Sequence, residues 1–517
     1  MEVKKQENKH TTLETLLLII IALLPLLIMY AIVHFSGPSW DITVRYLSGR
    51  TVVNFLTHHI SPKAAFAGEF SNNLLYYFEP YREPLSILIF ALLSLIFQKS
   101  ILPYIILIYL VYLFALYELS KELKINKLVL FSVFVNSYVI YFFFIPNGGE
   151  GLSIIFVILG LVYLLKKRSI SGLFFGLASI AKYPSLILFP LVLLLDDNDK
   201  KFKAIVLELV PVLIWGGFVD YLLYGVPFFS YFESIAASSI ATGPSVVSLF
   251  AVVKVLAYPA VFAFVAILYL LIKKDKLKLK LNLDYKWKVI VGFVVLAGIC
   301  YLIILPHNDP LTQSRYGYLF ATALLVPVAI LLNYSVQKSN GHMLKYVVAI
   351  GTIAILAYAL YSTYVTNNAP AIAYYNPTSN NNIYQHAENE LSIMGFGDCR
   401  FVSNAWVPMI YSGYDSYSPF ILYTSNVITP IVKHILDTTG LNNTNASVNG
   451  IIERYGPHNS TVNYTTYAKE EESYPIVVLK WTGVPKSFII NLNQSKLVYD
   501  DQNVSIYLPR NASCYKD

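Results

Sequence analysis

Leu16 to Val33 runs without a charged residue and, as a helix rising 1.5 Å per residue, reaches about 27 Å, close to the hydrocarbon thickness of a bilayer. Runs of this kind recur down the chain as far as residue 364. They dictate the architecture, because backbone in hydrocarbon must satisfy its own hydrogen bonds and helices do so within one segment. Of 517 residues, 56% are hydrophobic and 13% charged, with a mean hydropathy of +0.55, too little polar surface to coat a soluble globule. The expectation is a polytopic α-helical integral membrane protein, its place being the cell membrane. Lys4, Lys5 and Lys9 precede the first run, and no small-residue cleavage site follows at His34 to Pro38. That run therefore reads as a retained anchor and residues 1–13 as a cytoplasmic N-terminus.

Charge sets the expected sidedness. Lys and Arg concentrate at 121–127, 166–168, 200–203, 273–288 and 338–345, between apolar runs, where the positive-inside rule places cytoplasmic loops. The formal net charge of +7 is thereby explained without nucleic acid, which is excluded as a partner. Between the clusters, spans are expected near 101–119, 128–145, 152–165, 204–224, 249–272, 288–305, 316–335 and 346–364. Residues 169–195 begin and end at cytoplasmic clusters, so they must cross and return, with Lys182-Tyr183-Pro184 as the tip and arms of about 12 residues. Such short arms need other helices, or a thinned and hydrated site, around the tip.

After Thr366 the composition turns polar. Asn442, Asn445, Asn459, Asn463, Asn493, Asn503 and Asn511 each begin an Asn-x-Ser/Thr sequon, an acceptor usable only outside the cytosol. The tail, residues 366–517, is therefore expected to be an extracytoplasmic glycosylated domain. Parity then makes Pro84 to Phe97 a re-entrant helix and leaves 11 spans in a transmembrane domain over 14–365, with a large outward loop at 34–83. Within the tail, a helix over 384–394, a strand over 400–403, a helix near 407–411 and strands over 476–481 and 504–508 predict a small α/β domain. Cys399 and Cys514 lie in it, where an oxidising compartment would let them pair.

Candidate chemistry gathers at the outward ends of the spans. Asp41, two helical turns after the first run, would sit at the membrane interface, where partial desolvation makes a carboxylate a better base; taken alone, it reads more readily as a solvated loop acid. Glu150 lies in the short outward turn Pro146-Asn147-Gly148-Gly149-Glu150-Gly151 and reads as well as a first-turn acid complementing the next helix's macrodipole. Lys182, alone between apolar arms, either snorkels or meets an anion such as a lipid phosphate. Arg315 could grip phosphate in a bidentate way or pair with Asp309. Asp220 and Lys254 flank a third outward loop as ligands or interface charges. No P-loop, paired metal-binding Cys/His set, GxSxG or GxGxxG supports soluble nucleotide chemistry.

These features resemble the C-type glycosyltransferase superfamily (GT-C fold), multi-span enzymes that use polyprenyl-phosphate sugars, such as protein O-mannosyltransferases and lipid A aminoarabinose transferases. The resemblance rests on Trp40-Asp41 after the first span, Arg82-Glu83-Pro84-Leu85 opening an apolar run, Gly176-Leu-Ala-Ser-Ile-Ala-Lys182-Tyr-Pro184 in the short hairpin, and Arg315-Tyr316 at a late span. It implies Asp41 as catalytic base, Glu150 as a supporting acid, and Lys182 with Arg315 on the lipid phosphate, Arg82 and Glu83 contributing to substrate binding. The implied partners are a polyprenyl-phosphate sugar donor, a glycan, lipid or protein acceptor, and membrane lipids. Glu150 has no adjacent acid and the tail lacks the Trp-Trp-Asp signature of oligosaccharyltransferases. No cofactor is therefore implied with certainty, and a divalent metal is left open. A lipid-linked glycan transporter or flippase, and an anchored cell-surface protein, are the alternative functions.

Overall fold

The structure, a computed structural model, describes residues 2–36, 83–97, 101–136, 149–221, 247–272, 284–307, 313–338, 342–366, 381–397, 399–403, 474–480 and 495–514, with short pieces within 42–53 and 227–231 and at 409 and 416–417. The chain divides into two compact units. One comprises Met1–Ile32, Tyr104–Trp215 and Thr242–Ala369; the other comprises Val33–Pro103, Gly216–Ala241 and Pro370–Asp517.

The first unit is helical. Its elements are α1 (Glu2–Ser36), α3 (Leu102–Leu123), α4 (Lys127–Phe134), α5 (Gly149–Leu165), α6 (Ser171–Ala181), a 3-10 helix (Tyr183–Leu194), α7 (Asn198–Val212), α8 (Leu249–Ile272), α9 (Tyr285–Ile304), the single turn α10 (Gln313–Tyr316), α11 (Tyr318–Lys338) and α12 (His342–Thr366); α2 (Pro84–Ser94) belongs to the second unit. Among the described residues, seven helices are long and apolar enough to cross a membrane: Thr12–Ala31, Leu102–Leu123, Asn198–Val219, Leu249–Ile272, Tyr285–Ile304, Tyr318–Gln337 and Met343–Ser362. Pro84–Ser94, Gly149–Leu165, Ser171–Ala181 and Tyr183–Leu194 are shorter apolar helices. The run assigned to residues 128–145 is described only as far as Asn136, with α4 covering its first part.

Local chemistry fixes the ends of these elements. Asn126 caps α4, its side chain accepting from the backbone of Leu128 at 2.9 Å, and Asp197 caps α7 through Asp199 N at 2.9 Å; each satisfies donors that a helix start leaves open. Pro211 supplies no N–H to the ladder of α7, and the segment Leu213–Val219 continues as a π-helix.

Three helices are held together by small residues. A Cβ on Gly172 would lie 1.9 Å from the Ala204 carbonyl oxygen and one on Gly176 would lie 2.4 Å from that of Glu208. Gly172-x-x-x-Gly176 therefore lets α6 and α7 approach backbone to backbone, the contact that van der Waals packing favours where lipid offers no hydrophobic drive. On the other side of α6, Phe175 fills the place that a Cβ on Gly160 of α5 would need, at 2.8 Å. α6 is thereby fixed between α5 and α7.

The second unit carries a five-stranded sheet of β1 (Phe401–Ser403), β2 (Ser416–Tyr417), β3 (Ile476–Leu479), β4 (Ser495–Asp500) and β5 (Val504–Pro509), in the order β2-β1-β3-β5-β4. β1 is parallel to β2 and β3, while β5 is antiparallel to β3 and β4. Helix α13 (Asn381–Ile393) buries Tyr384, Ala387 and Leu391 against Phe401, Val477, Leu479, Val504 and Ile506. Val402, Tyr474 and Ile476 form a cluster with Val478 and Tyr507 packed on it, so β3 alternates between two apolar clusters and reads as a continuous apolar run. A disulfide joins Cys399 to Cys514, with Cα atoms 5.1 Å apart, and so ties the entry of β1 to the chain beyond β5. The helix expected near 407–411 lies outside the described residues except for Met409, which is buried in this core.

Candidate functional site

Three elements of the helical unit bring their charges to one point. Glu150 lies in the first turn of α5 and is fully buried. Its Oε1 accepts from Arg315 Nε at 3.0 Å and lies 3.2 Å from Lys182 Nζ. Glu150 is therefore more than a first-turn acid, and Arg315 takes Glu150 as a partner; Asp309 lies outside the described residues. The Lys182 side chain is only 6% exposed, so it is held inside the protein rather than extended to an interface.

The backbone explains how each charge arrives. α6 stops at Ala181, Lys182 is extended with φ −158° and ψ 111°, and the 3-10 helix starts at Tyr183 with Pro184 in its first turn, where a missing N–H costs no ladder bond. The tip expected at Lys182-Tyr183-Pro184 is this junction. Gly317 separates α10 from α11, and a Cβ there would lie 2.3 Å from Val255 Cγ2 of α8. Close packing on α8 thus fixes the turn that presents Arg315. The ring of Tyr316 lies 6.0 Å from Lys182 Nζ and 5.8 Å from the Arg315 guanidinium carbon, within reach of cation–π attraction.

All three charges sit at the element ends opposite the basic clusters. α5 ends beside Lys166, α6 begins after Arg168, and α11 ends at Lys338. At those other ends the lysines are partnered: Lys166 meets Glu118 at 3.0 Å, Lys286 meets Glu122 at 2.8 Å, and Lys167 pairs with Asp196 and Lys345 with Glu14.

Lys182 and Arg315 thus share one oxygen of Glu150 in a buried place. Glu150 Oε2 makes no hydrogen bond among the described residues. A divalent cation would compete with two resident cations for one carboxylate. Two cations held this close could instead grip an anion such as a phosphate, and the open oxygen could accept from a hydroxyl. Among the described residues, no three His, Cys, Asp or Glu side chains group as a metal site would need.

The remaining expected site residues fall elsewhere. Asp41 and Arg82 lie outside the described residues, as does the loop over 54–82. Glu83 is buried in the second unit, where its carboxylate pairs with the fully buried Arg45 at 2.5 Å. Tyr46 packs edge-on against Phe90 of α2 at 6.0 Å, and Gly49 lies against α2 at Phe90 and Ala91. The Arg82-Glu83-Pro84 motif thus places Glu83 in an internal ion pair. Asp220 is buried and accepts from Ser230 through both N–H and Oγ, at 2.8 and 2.6 Å; Lys254 is half-buried in α8. Of the sequons, Asn503 and Asn511 are described and exposed, and Asn442, Asn445, Asn459, Asn463 and Asn493 lie outside the described residues.

Some residues escaped sequence reading. Beneath the charges lies a buried hydroxyl group of three: Ser153 Oγ is 2.5 Å from Ser185 Oγ, which is 3.0 Å from Tyr318 OH. Glu208, buried in α7 opposite Gly176, has an Oε2 without a hydrogen bond among the described residues; an acid inside an apolar run was itself the signal.

No family model matches this chain, and no curated protein or solved structure matches it.

Proposed function

We propose that this protein is a membrane glycosyltransferase of the GT-C kind, moving a sugar from a polyprenyl-phosphate donor to an acceptor hydroxyl on the extracytoplasmic face with inversion. The observation that carries this reading is the buried cluster in which Lys182 and Arg315 share one oxygen of Glu150. It is suited to an anion delivered from the membrane, and it lies at the ends of α5, α6 and α11 away from the lysine clusters.

In the reaction, the acceptor oxygen attacks the anomeric carbon, the bond from that carbon to the phosphate oxygen breaks, and the electron pair leaves with polyprenyl phosphate. Lys182 and Arg315 turn from Glu150 to the phosphate and stabilise the developing negative charge; fixed donors of this kind contribute roughly 3–4 kcal/mol each. Glu150 keeps the two cations together before the donor enters. Asp41 is the base that takes the hydroxyl proton. A divalent ion stays open as an additional ligand of the donor.

The proposed topology is eleven spans with Pro84–Phe97 re-entrant and the tail outside the cytosol. α2, at 11 residues, reaches only about 16 Å. The Cys399–Cys514 disulfide suits an oxidising compartment, and the exposed Asn503 and Asn511 suit a glycosylated surface.

The test is to incubate purified protein with polyprenyl-phosphate mannose, glucose and other sugars and to measure release of polyprenyl phosphate. Consumption of one donor that stops in Asp41→Asn is the expected result. Absence of turnover with every donor, together with no binding of polyprenyl phosphate, refutes the reading.

A further inference from the structure

Each charged member of the cluster is followed, three residues on, by a buried hydroxyl: Glu150 by Ser153, Lys182 by Ser185, and Arg315 by Tyr318. Glu150 and Ser153 share a face of α5 one turn apart, whereas Lys182 and Ser185 span the entry of the 3-10 helix and Arg315 and Tyr318 span the Gly317 break between α10 and α11. The hydroxyls of α5, the 3-10 helix and α11 thus meet close to the charges. Ser153 and Tyr318 are fully buried and Ser185 is 1% exposed. Ser185 on the 3-10 helix lies between the other two, 2.5 Å from Ser153 Oγ on α5 and 3.0 Å from Tyr318 OH on α11. Cys300 of α9 brings a fourth element to this level, its thiol donating to the Pro184 carbonyl at 3.5 Å. Tyr318 also opens α11 directly after the Gly317 break, so its hydroxyl reports on the same turn that presents Arg315.

We propose that Tyr318, bonded to Ser185 and through it to Ser153, is a positioning residue that sets the register of α5, the 3-10 helix and α11, and so fixes where Lys182 and Arg315 hold an anion. The charges above must change partner when a phosphate enters, from Glu150 to the ligand. A layer of neutral O–H···O bonds does not take part in that exchange. It keeps the backbones in place while only side-chain tips move, as pre-organised sites require. Either atom of each pair can donate, so the layer needs no fixed proton arrangement.

In its effect on ligand the inference rests on the proposed function; in its effect on the charged cluster it does not. Its test is therefore a set of three double-mutant cycles on the purified full-length protein. Tyr318→Phe keeps the ring and removes the bond to Ser185. With polyprenyl phosphate as probe, it is expected to weaken binding about five- to tenfold, Ser185→Ala to do the same, and the two together to do no more. Tyr318→Phe is also expected to add little once Arg315 is Gln. Additive losses, or unchanged binding, overturn the proposal. If the unaltered protein binds no polyprenyl phosphate, the glycosyltransferase reading fails separately. Thermal unfolding without ligand then decides. Tyr318→Phe and Lys182→Met should be non-additive in their shift of midpoint, and strict additivity overturns the positioning role.

Discussion

Replacing Glu150 by Gln removes the negative charge that separates two positive ones, and the geometry gives the size of the effect. Lys182 Nζ and Arg315 Nε lie 3.2 and 3.0 Å from the same oxygen, so they are at most about 6 Å apart. At an effective dielectric of about 20, two like charges at that distance repel by about 3 kcal/mol. Their side chains are 6% and 12% exposed, and removing one member of a buried ion pair costs about 3–5 kcal/mol. Spread over a unit of this size, that lowers the unfolding midpoint by roughly 6 to 20 °C. Lys182→Met and Arg315→Gln each leave Glu150 one cation, so each should cost less, about 1–3 kcal/mol for the lost charged hydrogen bond. The assay is thermal unfolding of the three variants in nanodiscs, with and without polyprenyl phosphate. The expected order puts Glu150→Gln as the most damaging. Added polyprenyl phosphate should recover more midpoint in that variant than in the unaltered protein, because the ligand supplies the missing anion. A Glu150→Gln protein that unfolds at the unaltered temperature, or is the mildest of the three, refutes the reasoning.

Gly176→Val should abolish folded protein, as its Cβ meets the Glu208 carbonyl oxygen at 2.4 Å, whereas Gly351→Ala, with nothing within 4 Å, should be neutral or gain up to about 1 kcal/mol; size-exclusion profiles and unfolding midpoints distinguish them. Cys514→Ser opens a closed loop of 115 residues and should destabilise the sheet by about 5 kcal/mol on the chain-entropy account, read as lost amide protection in β3 and β5. Burial raises the pKa of Asp501, but hydrogen bonds from Val504 N, Asn503 N, His386 and Tyr499 outweigh it and hold the carboxyl below its usual range. Its contribution to stability is therefore fully present above the unfolded value of about 3.9 and is lost as pH falls from there through the lower folded value. The Asn503 and Val504 amides, each 2.7 Å from Asp501 Oδ1, should keep their exchange protection at pH 6 and lose it only gradually as pH falls below about 3.9, and in Asp501→Asn the dependence should vanish.

What could be read from sequence were features whose cause is local. The apolar runs, the break at Lys182-Tyr183-Pro184 and the strands in β3 and β5 each follow from composition over a few residues. The meeting of Glu150, Lys182 and Arg315 was legible only as three outward charges, since the pairing spans 165 residues between Arg315 and Glu150. β4 was missed because it is an edge strand, exposed over Lys496, Leu497 and Val498 and formed by pairing with β5 rather than by an alternating pattern. The Arg45–Glu83 pair and the serines beneath the charges were missed for a different reason. Serine is common in membrane helices, and only the third dimension separates one that bonds its own turn from one that bonds a neighbouring element.

The 3-10 helix over Tyr183–Leu194 has a consequence for reach. At about 2.0 Å per residue its 12 residues extend about 24 Å, where an α-helix of equal length would cover about 18 Å. Overwinding thus lets a dozen residues cover most of the non-polar slab, and a count of residues underrates this arm. Recoiling it into α geometry would draw its two ends about 6 Å closer, dragging the lysine away from its carboxylate. The stretched winding is, in effect, the ruler that sets the depth of the charge.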